Sequence, residues 1–328
     1  MEILHLFAQN LLSPPILFFG LGLLAGFIKS DLDVPESISR YLSIYLMMSI
    51  GFKGGVALAN THEFTAQIFW AIGIGVAFGF VQPFVGYWLL RKTSKLDSPT
   101  AAAVAAHYGS ISMVTFVTAA SFLKLDEVAY AGYIVAILAL MEAPAVLSGL
   151  FLAHRDAPET RGHEQEEKKL LNREIFTNGA ILLLMGSFVI GWITGEPGMT
   201  KMKAFLVDPF QGILALFLLD MGLLVAKNLH HLRQFTFSLV AFAIYMPILS
   251  ALAGLGVATA IGLDVGTGTL YAVLFASASY IAVPAAMRLA LPEAQAAIYL
   301  PMSLAITFPF NIVFGIPLYY SLAKMWLG

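Results

Sequence analysis

The sequence predicts an all-α polytopic membrane protein with about ten transmembrane helices, because ~20 apolar residues cross a bilayer and many such runs are present. The chain is 59% hydrophobic and 12% charged, whereas a soluble domain is about 45–50% apolar and about 25% charged. Its two halves also resemble each other across a polar midpoint. The chain has no cysteine, which excludes disulfides, thiol catalysis and thiolate metal sites.

Apolar runs and their polar interruptions define the predicted helices, numbered here from 1 to 10. They cover 14–29, 37–59, 65–91, 99–123, 127–153, 174–194, 208–227, 234–262, 266–290 and 294–326. The segment 154–173 mixes both charge signs without apolar periodicity, and it is predicted to be a linker. The chain therefore divides into a first repeat (1–153), the linker and a second repeat (174–328).

The orientation follows from the distribution of Lys and Arg. These residues concentrate in the linker and in the loops after predicted helices 1, 3, 7 and 9, including RKTSK between Arg91 and Lys95. Cytoplasmic loops carry an excess of Lys and Arg. We therefore expect a cytoplasmic linker and both termini outside. The net charge of −2 gives no electrostatic reason to expect nucleic acid as a partner.

The two halves share sequence features at matching positions. YLMMSIG (45–51) resembles LFLLDMG (216–222), and YGSISMVTFVTAA (108–120) aligns with FASASYIAVPAAM (275–287). LALMEAPAVLSG (138–149) matches FPFNIVFGIP (308–317), which pairs Glu142 with Asn311. Because five is an odd number of spans, the second repeat must enter the membrane from the opposite side.

Predicted helices 4 and 9 carry residues that interrupt a helix. Gly109 loosens the hydrogen-bond ladder and hydroxyls can cap the freed N–H groups, while a proline such as Pro284 removes a backbone bond. Interrupted helices in a membrane are tolerated only where they are buried or line a wet cavity. Two crossing broken helices in inverted halves indicate a transporter site at the midplane. The predicted substrate-binding residues are Gly109, Ser110, Ser112, Ser277, Ser279 and Tyr280; alternatively, the small residues only allow close helix packing.

Five further polar residues lie in or near predicted spans. Glu142 is predicted to hold a cation or carry a proton, because intramembrane carboxylates are expensive; alternatively it pairs with Lys53. Asn311 is its counterpart, as a second ion ligand or as a helix-packing residue. Asp220 is either an ion ligand or an interface anchor. Lys53 could sense an anion or only extend to the membrane surface, and His107 is interpreted as a bonded packing residue.

Taken together, six segments resemble the sodium-dependent bicarbonate symporters first described in cyanobacteria and found in many bacteria. The similarity covers essentially the whole chain. The segments are IGFKGGVALA (50–59), AAHYGSISMVTF (105–116), LMEAPAVL (140–147), LFLLDMG (216–222), ASASYIAVPAAMRLALPEA (276–294) and LPMSLAITFPFNIVFGIPLY (300–319).

The resemblance implies sodium-coupled bicarbonate uptake by a homotrimer, without enzymatic activity or cofactor, and inhibition by a small cytoplasmic protein of the PII type. It implies a core domain of helices 3–5 and 8–10 that moves against a gate domain of helices 1, 2, 6 and 7. It assigns the two serine-bearing breaks to Ser110/Ser112 and Ser277/Ser279, and its acidic position to Glu142. Two features depart from the cyanobacterial branch: Tyr280 replaces an aspartate, and PMSLAITFPF is poorer in Gly, Ser and Thr.

The residues themselves leave other functions open. A proton-coupled carrier of another small acid would use Glu142 as its proton site. An intramembrane hydrolase would need Ser110 as nucleophile and His107 as base, three residues apart on one helix. A non-transporting receptor would bind a ligand without moving it.

Overall fold

The computed structural model describes residues 12–60, 65–155, 179–229, 235–280, 283–284, 287, 291 and 293–328. All regular elements in these ranges are helices. In chain order they are α1 (Pro14–Phe27), α2 (Glu36–Ala59), α3 (Ala66–Thr93), α4 (Ser98–Gly109), α5 (Met113–Leu125), α6 (Ile134–Leu140), α7 (Glu142–Arg155), α8 (Gly179–Leu206), α9 (Phe210–Asn228), α10 (Phe237–Ile261), α11 (Val265–Ala276) and α12 (Ala296–Leu327). The predicted linker lies largely outside the described residues.

Seven helical segments of the described residues are long and apolar enough to cross a membrane. They are α2, α3, α4 with α5, α6 with α7 to Ala153, α9, α10 and α12, while α1 and α11 are shorter apolar helices. The multi-pass membrane character that composition predicts is therefore confirmed. The number of ten transmembrane helices stays a prediction.

Three boundaries differ from the sequence prediction for physical reasons. Predicted helix 5 becomes helical only at Ile134, because the Ala131 N–H before it donates to the Thr267 hydroxyl and not to a carbonyl of its own segment. Predicted helix 6 continues past 194 to Leu206, because Gly195 takes a positive φ of 51° and lets the chain bend and resume its helix. Predicted helix 9 is helical only as far as Ala276 before the chain becomes extended.

Glycines bring two pairs of helices into close contact. A methyl group on Gly22 of α1 would overlap the Leu219 carbonyl of α9, and one on Gly222 would overlap the Phe19 carbonyl. In the same way, a methyl group on Gly55 of α2 would overlap the Phe188 carbonyl of α8. One on Gly191 of α8 would overlap the Phe52 carbonyl of α2. Small residues allow such close approach between membrane helices. The structure therefore packs α1 along α9 and α2 along α8.

The same cap occurs at the start of α4 and at the start of α11. The Asp97 carboxylate accepts from the Thr100 N–H at 2.8 Å, and that of Asp264 accepts from the Thr267 N–H at 2.9 Å. Such N-caps satisfy helix donors that have no partner within the helix.

The threonine whose N–H is capped also binds, through its hydroxyl, the chain just before another helix. The Thr100 hydroxyl accepts from the Gln295 N–H at 3.1 Å, at the start of α12. The Thr267 hydroxyl accepts from the Ala131 N–H at 2.8 Å, shortly before α6. The two halves of the chain thus repeat one local arrangement, and each holds a loop of the other.

Candidate substrate and ion site

The first interruption separates α4 from α5. Ser110 ends α4, and its N–H donates to the Ala106 carbonyl at 3.2 Å. Ser112 begins α5, since its hydroxyl oxygen accepts from the Thr115 N–H at 3.2 Å and from the Thr115 hydroxyl at 2.9 Å. The break therefore presents the amino end of α5, which carries a partial positive charge.

The second interruption follows α11. The Ser277 hydroxyl donates back to the Val273 carbonyl, and residues 277–280 are not helical. Helical backbone reappears at Val283 and Pro284. The Ser279 hydroxyl accepts weakly from the Val283 N–H at 3.4 Å.

The two interruptions contact each other directly. The backbone N–H of Ser279 donates to the carbonyl oxygen of His107 at 2.8 Å, so a backbone group of the second break is satisfied by the first. Irregular backbone within a membrane must find such partners inside the protein. Among the described residues, the two interruptions are therefore in contact, and the crossing of the two broken helices stays a prediction.

Where the two breaks meet, three buried polar atoms have no hydrogen-bond partner within the part of the chain that the structure describes: His107 Nε2, the Ser110 hydroxyl and the Tyr280 hydroxyl. The Ser112 side chain is close to the Tyr280 hydroxyl, but their geometry does not form a hydrogen bond. Their residues are 0%, 1% and 7% exposed. Buried polar groups are normally satisfied, and an exception calls for a ligand, an ion or a water. This cluster is therefore the candidate binding site.

His107 has a defined tautomer. Its Nδ1 lies 2.7 Å from the Ala103 carbonyl oxygen, which can only accept, so Nδ1 carries the proton. In the neutral imidazole Nε2 is then an acceptor with a free lone pair. The ring packs against Tyr299 of α12 with centroids 4.7 Å apart. The sequence interpretation of a bonded packing residue is thus correct for Nδ1 and incomplete for Nε2.

The Glu142 segment adjoins the first break. A Cβ on Gly79 of α3 would lie 3.2 Å from the Met141 carbonyl oxygen, 3.3 Å from Pro144 Cβ and 3.7 Å from the Gly109 carbonyl oxygen. Pro144 has no N–H, so it cannot bond the carbonyl four residues earlier in its span. The backbone around Glu142 therefore lies beside the first interruption; the Glu142 side chain falls outside the described atoms.

Asn311 is placed at the second break. Its amide N–H donates to the Ala276 carbonyl at 2.9 Å, and its side-chain oxygen accepts from the Tyr319 hydroxyl at 2.9 Å. Asn311 thus satisfies the carbonyl at which α11 ends. It begins one of two π-helical segments of α12, Met302–Thr307 and Asn311–Gly315, and such segments are frequent at functional sites.

Asp220 and Lys53 lie away from the crossing. Asp220 accepts a hydrogen bond from the Ser39 hydroxyl, which joins α9 to α2 as an interface anchor would. The Lys53 ammonium lies 3.8 Å from the centroid of the Phe210 ring. Among the described residues, the contacts of Asp220 and Lys53 do not include the unpartnered atoms, so the structure does not bring these two residues to the candidate site.

A model of the Na⁺-dependent bicarbonate transporter superfamily matches residues 14–324. The predicted family is therefore confirmed, and the prediction that the chain is not an enzyme agrees with a superfamily of transporters. A search of curated proteins finds no match.

Proposed function

The chain belongs to the Na⁺-dependent bicarbonate transporter superfamily, and from this premise we propose that it takes up bicarbonate together with Na⁺ by alternating access. The observation that carries the proposal is the trio of unpartnered, buried polar atoms where the two broken helices meet. A buried site with unsatisfied donors and an unsatisfied acceptor is suited to a small polar solute.

The polar atoms of the crossing suit bicarbonate. The Ser110 and Tyr280 hydroxyls can donate to carboxylate-like oxygens, and the amino end of α5 at Ser112 favours negative charge. Bicarbonate differs from a simple carboxylate by its own hydroxyl, which needs an acceptor. His107 Nε2 is such an acceptor. We assign the substrate contacts to these groups, with Gly109, Ser277 and Ser279 shaping the two breaks.

The cation is assigned to the Glu142 region. Hard cations such as Na⁺ take oxygen ligands, and the Met141 carbonyl, next to Glu142, lies near the Gly109 carbonyl on the far side of Gly79. Asn311 adds an amide at the opposite break, where its present partners are Ala276 and Tyr319. A cation close to an anion strengthens the binding of both, which is coupling in thermodynamic terms.

Alternating access is supported by the matched contacts of the two halves. Inverted repeats that meet at a central site can exchange conformations about that site, and the Asp97/Thr100 and Asp264/Thr267 caps repeat one arrangement. The close pairs α1 with α9 and α2 with α8 fit a gate domain of helices 1, 2, 6 and 7. The remaining helices would form the core domain that carries the site.

Uptake of labelled bicarbonate into proteoliposomes tests the proposal. An inward Na⁺ gradient is expected to stimulate uptake, and an equal K⁺ gradient is not. The variant Glu142→Gln is expected to lose the Na⁺ stimulation, whereas Glu36→Gln, which changes an exposed carboxylate at the start of α2, retains it. Uptake that follows a pH gradient and ignores Na⁺ would contradict the proposal and identify a proton-coupled carrier.

We further propose a homotrimer in the bacterial inner membrane, with the linker cytoplasmic, both termini outside and a PII-type protein acting on the cytoplasmic face. Light scattering of the detergent-solubilised protein measures the subunit number. Because the chain has no cysteine, one cysteine introduced near each terminus and one in the linker can report orientation through membrane-impermeant labelling. Labelling of the linker from outside would reverse the assignment.

A further inference from the structure

Lys53 is a lysine within a membrane span whose contacts leave its charge unneutralised. Its ammonium lies on the face of the Phe210 ring, 3.8 Å from the centroid, between α2 and the start of α9. No ion pair joins it to a carboxylate of the described residues. An intramembrane cation is expensive and by default functional, and a ring face compensates only part of the loss of hydration.

A second cation, Lys124, lies at the end of α5, one helical turn after Ser121. Lys124 is exposed and also forms no ion pair with the described carboxylates. Between the two lysines α5 and α9 are joined by paired side chains, since Ser121 and Gln211 hydrogen-bond at 2.8 and 3.0 Å. Two like charges near one another, with polar amide and hydroxyl groups beside them, favour an anion.

This cluster of Lys53, Lys124, Ser121, Gln211 and Phe210 lies at one membrane face. Lys124 is separated from α6 only by a loop, whereas the linker follows the other end of that span, after Arg155. The cluster is therefore on the face opposite the linker. With the linker cytoplasmic, this face is the outer one, from which substrate enters.

We propose that Lys53 and Lys124 form an outer anion-binding site that collects small inorganic monoanions, bicarbonate among them, before they reach the crossing of the broken helices. The identity of the substrate in this inference rests on the proposed function, whereas the preference for anions rests on the two lysines. Clefts lined by one sign of charge raise the local concentration of counter-ions, and salt screens this effect.

Kinetics of bicarbonate uptake provide the first test. Lys53→Gln is expected to raise the KM for external bicarbonate about fivefold with little change in maximal rate, and to weaken the dependence of KM on ionic strength. Lys53→Arg is expected to restore the salt dependence because it restores the charge. The matched control is Lys92→Gln, since Lys92 also lies over an aromatic ring, that of Trp88 at 4.9 Å, but at the cytoplasmic end of α3. An unchanged KM, or a loss of maximal rate alone, would overturn the inference.

A second test does not need transport. Gln211→Cys introduces the only thiol of the chain, and its reaction with a sulfonate-bearing and a trimethylammonium-bearing thiosulfonate reports the local potential. The measured quantity is the reaction rate of the anionic reagent divided by that of the cationic reagent. This ratio is expected to be about ten times the ratio for a free thiol in solution, and Lys53→Gln is expected to remove most of the difference. Failure of wild-type uptake would overturn the proposed function, whereas equal reagent ratios with and without Lys53 would overturn the anion site.

Discussion

A single methyl group at Gly109 is expected to displace the first interruption. A Cβ at this position would lie 2.5 Å from Pro83 Cγ and 2.6 Å from Pro83 Cδ. Carbon atoms in contact are about 3.5–4.0 Å apart, so α4 and α3 must separate by roughly 1 Å. The proline ring cannot rotate away, because its atoms belong to the backbone ring.

The expected effect of Gly109→Ala is larger on transport than on stability. Overpacking costs about 1–3 kcal/mol, while replacing a helical glycine by alanine returns about 1 kcal/mol. Because Ser110 is the next residue, the same displacement moves a binding group, and a misplacement of about 1 Å can reduce a site's activity about 100-fold. We expect initial rates of Na⁺-driven bicarbonate uptake to fall by a factor of about 10 to 100.

A compensating change makes the argument specific. Pro83→Ala removes both clashing atoms, and the next contact of the new methyl group is Ala145 Cβ at 3.2 Å, which needs only a small adjustment. The double variant is expected to transport within about threefold of Pro83→Ala alone. The control is Gly73→Ala, because Gly73 lies on α3 with Pro83 and its added methyl group would have no atom within 4 Å. The reasoning fails if Gly109→Ala transports like Gly73→Ala, or if Pro83→Ala gives no rescue.

Three further predictions concern stability, measured by thermal unfolding of detergent-solubilised protein. Gly22→Ala is expected to destabilise the protein by about 1–3 kcal/mol, because the added methyl group overlaps α9. The control Gly20→Ala, whose methyl group would have no atom within 4 Å, is expected to be neutral or stabilising by up to about 1 kcal/mol. Equal melting temperatures of the two variants would contradict the helix contact. Thr100→Val and Thr267→Val each leave one backbone N–H without its acceptor and are expected to cost about 1–3 kcal/mol each; a large effect at one site only would argue against equivalent halves. Asn311→Ala leaves a carbonyl and a hydroxyl unpaired and is expected to cost about 2–4 kcal/mol; a change below about 0.5 kcal/mol would show that water replaces the amide.

Local signals explain which parts of the site could be read from the sequence. Gly109, Ser110 and Ser112 interrupt their own span, so the break before α5 was predictable from residues within one turn of it. The Asp97 and Asp264 caps are equally local, since each aspartate accepts from the N–H three residues later. Both depend on neighbouring residues rather than on the rest of the fold.

Long-range contacts explain what the sequence could not provide. The hydrogen bond from Ser279 to His107 joins distant segments and shows that the two breaks touch. The free Nε2 of His107 depends on which neighbours surround it after folding. Asn311 could be paired with Glu142 by alignment, but its role as a partner of the Ala276 carbonyl depends on the packing of α12 against α11.

The exchanged threonine contacts bear on how the chain is made. The contact of Ala131 can form only after Thr267, 136 residues later, has been synthesised. That of Thr100 needs Gln295, 195 residues later. At about 5–20 residues per second of synthesis, the first delay is roughly 7–27 seconds. During that interval the chain before α6 emerges from the ribosome without its acceptor. The first five helices are thus inserted early but mature late, and the two halves complete each other only when nearly the whole chain has been translated.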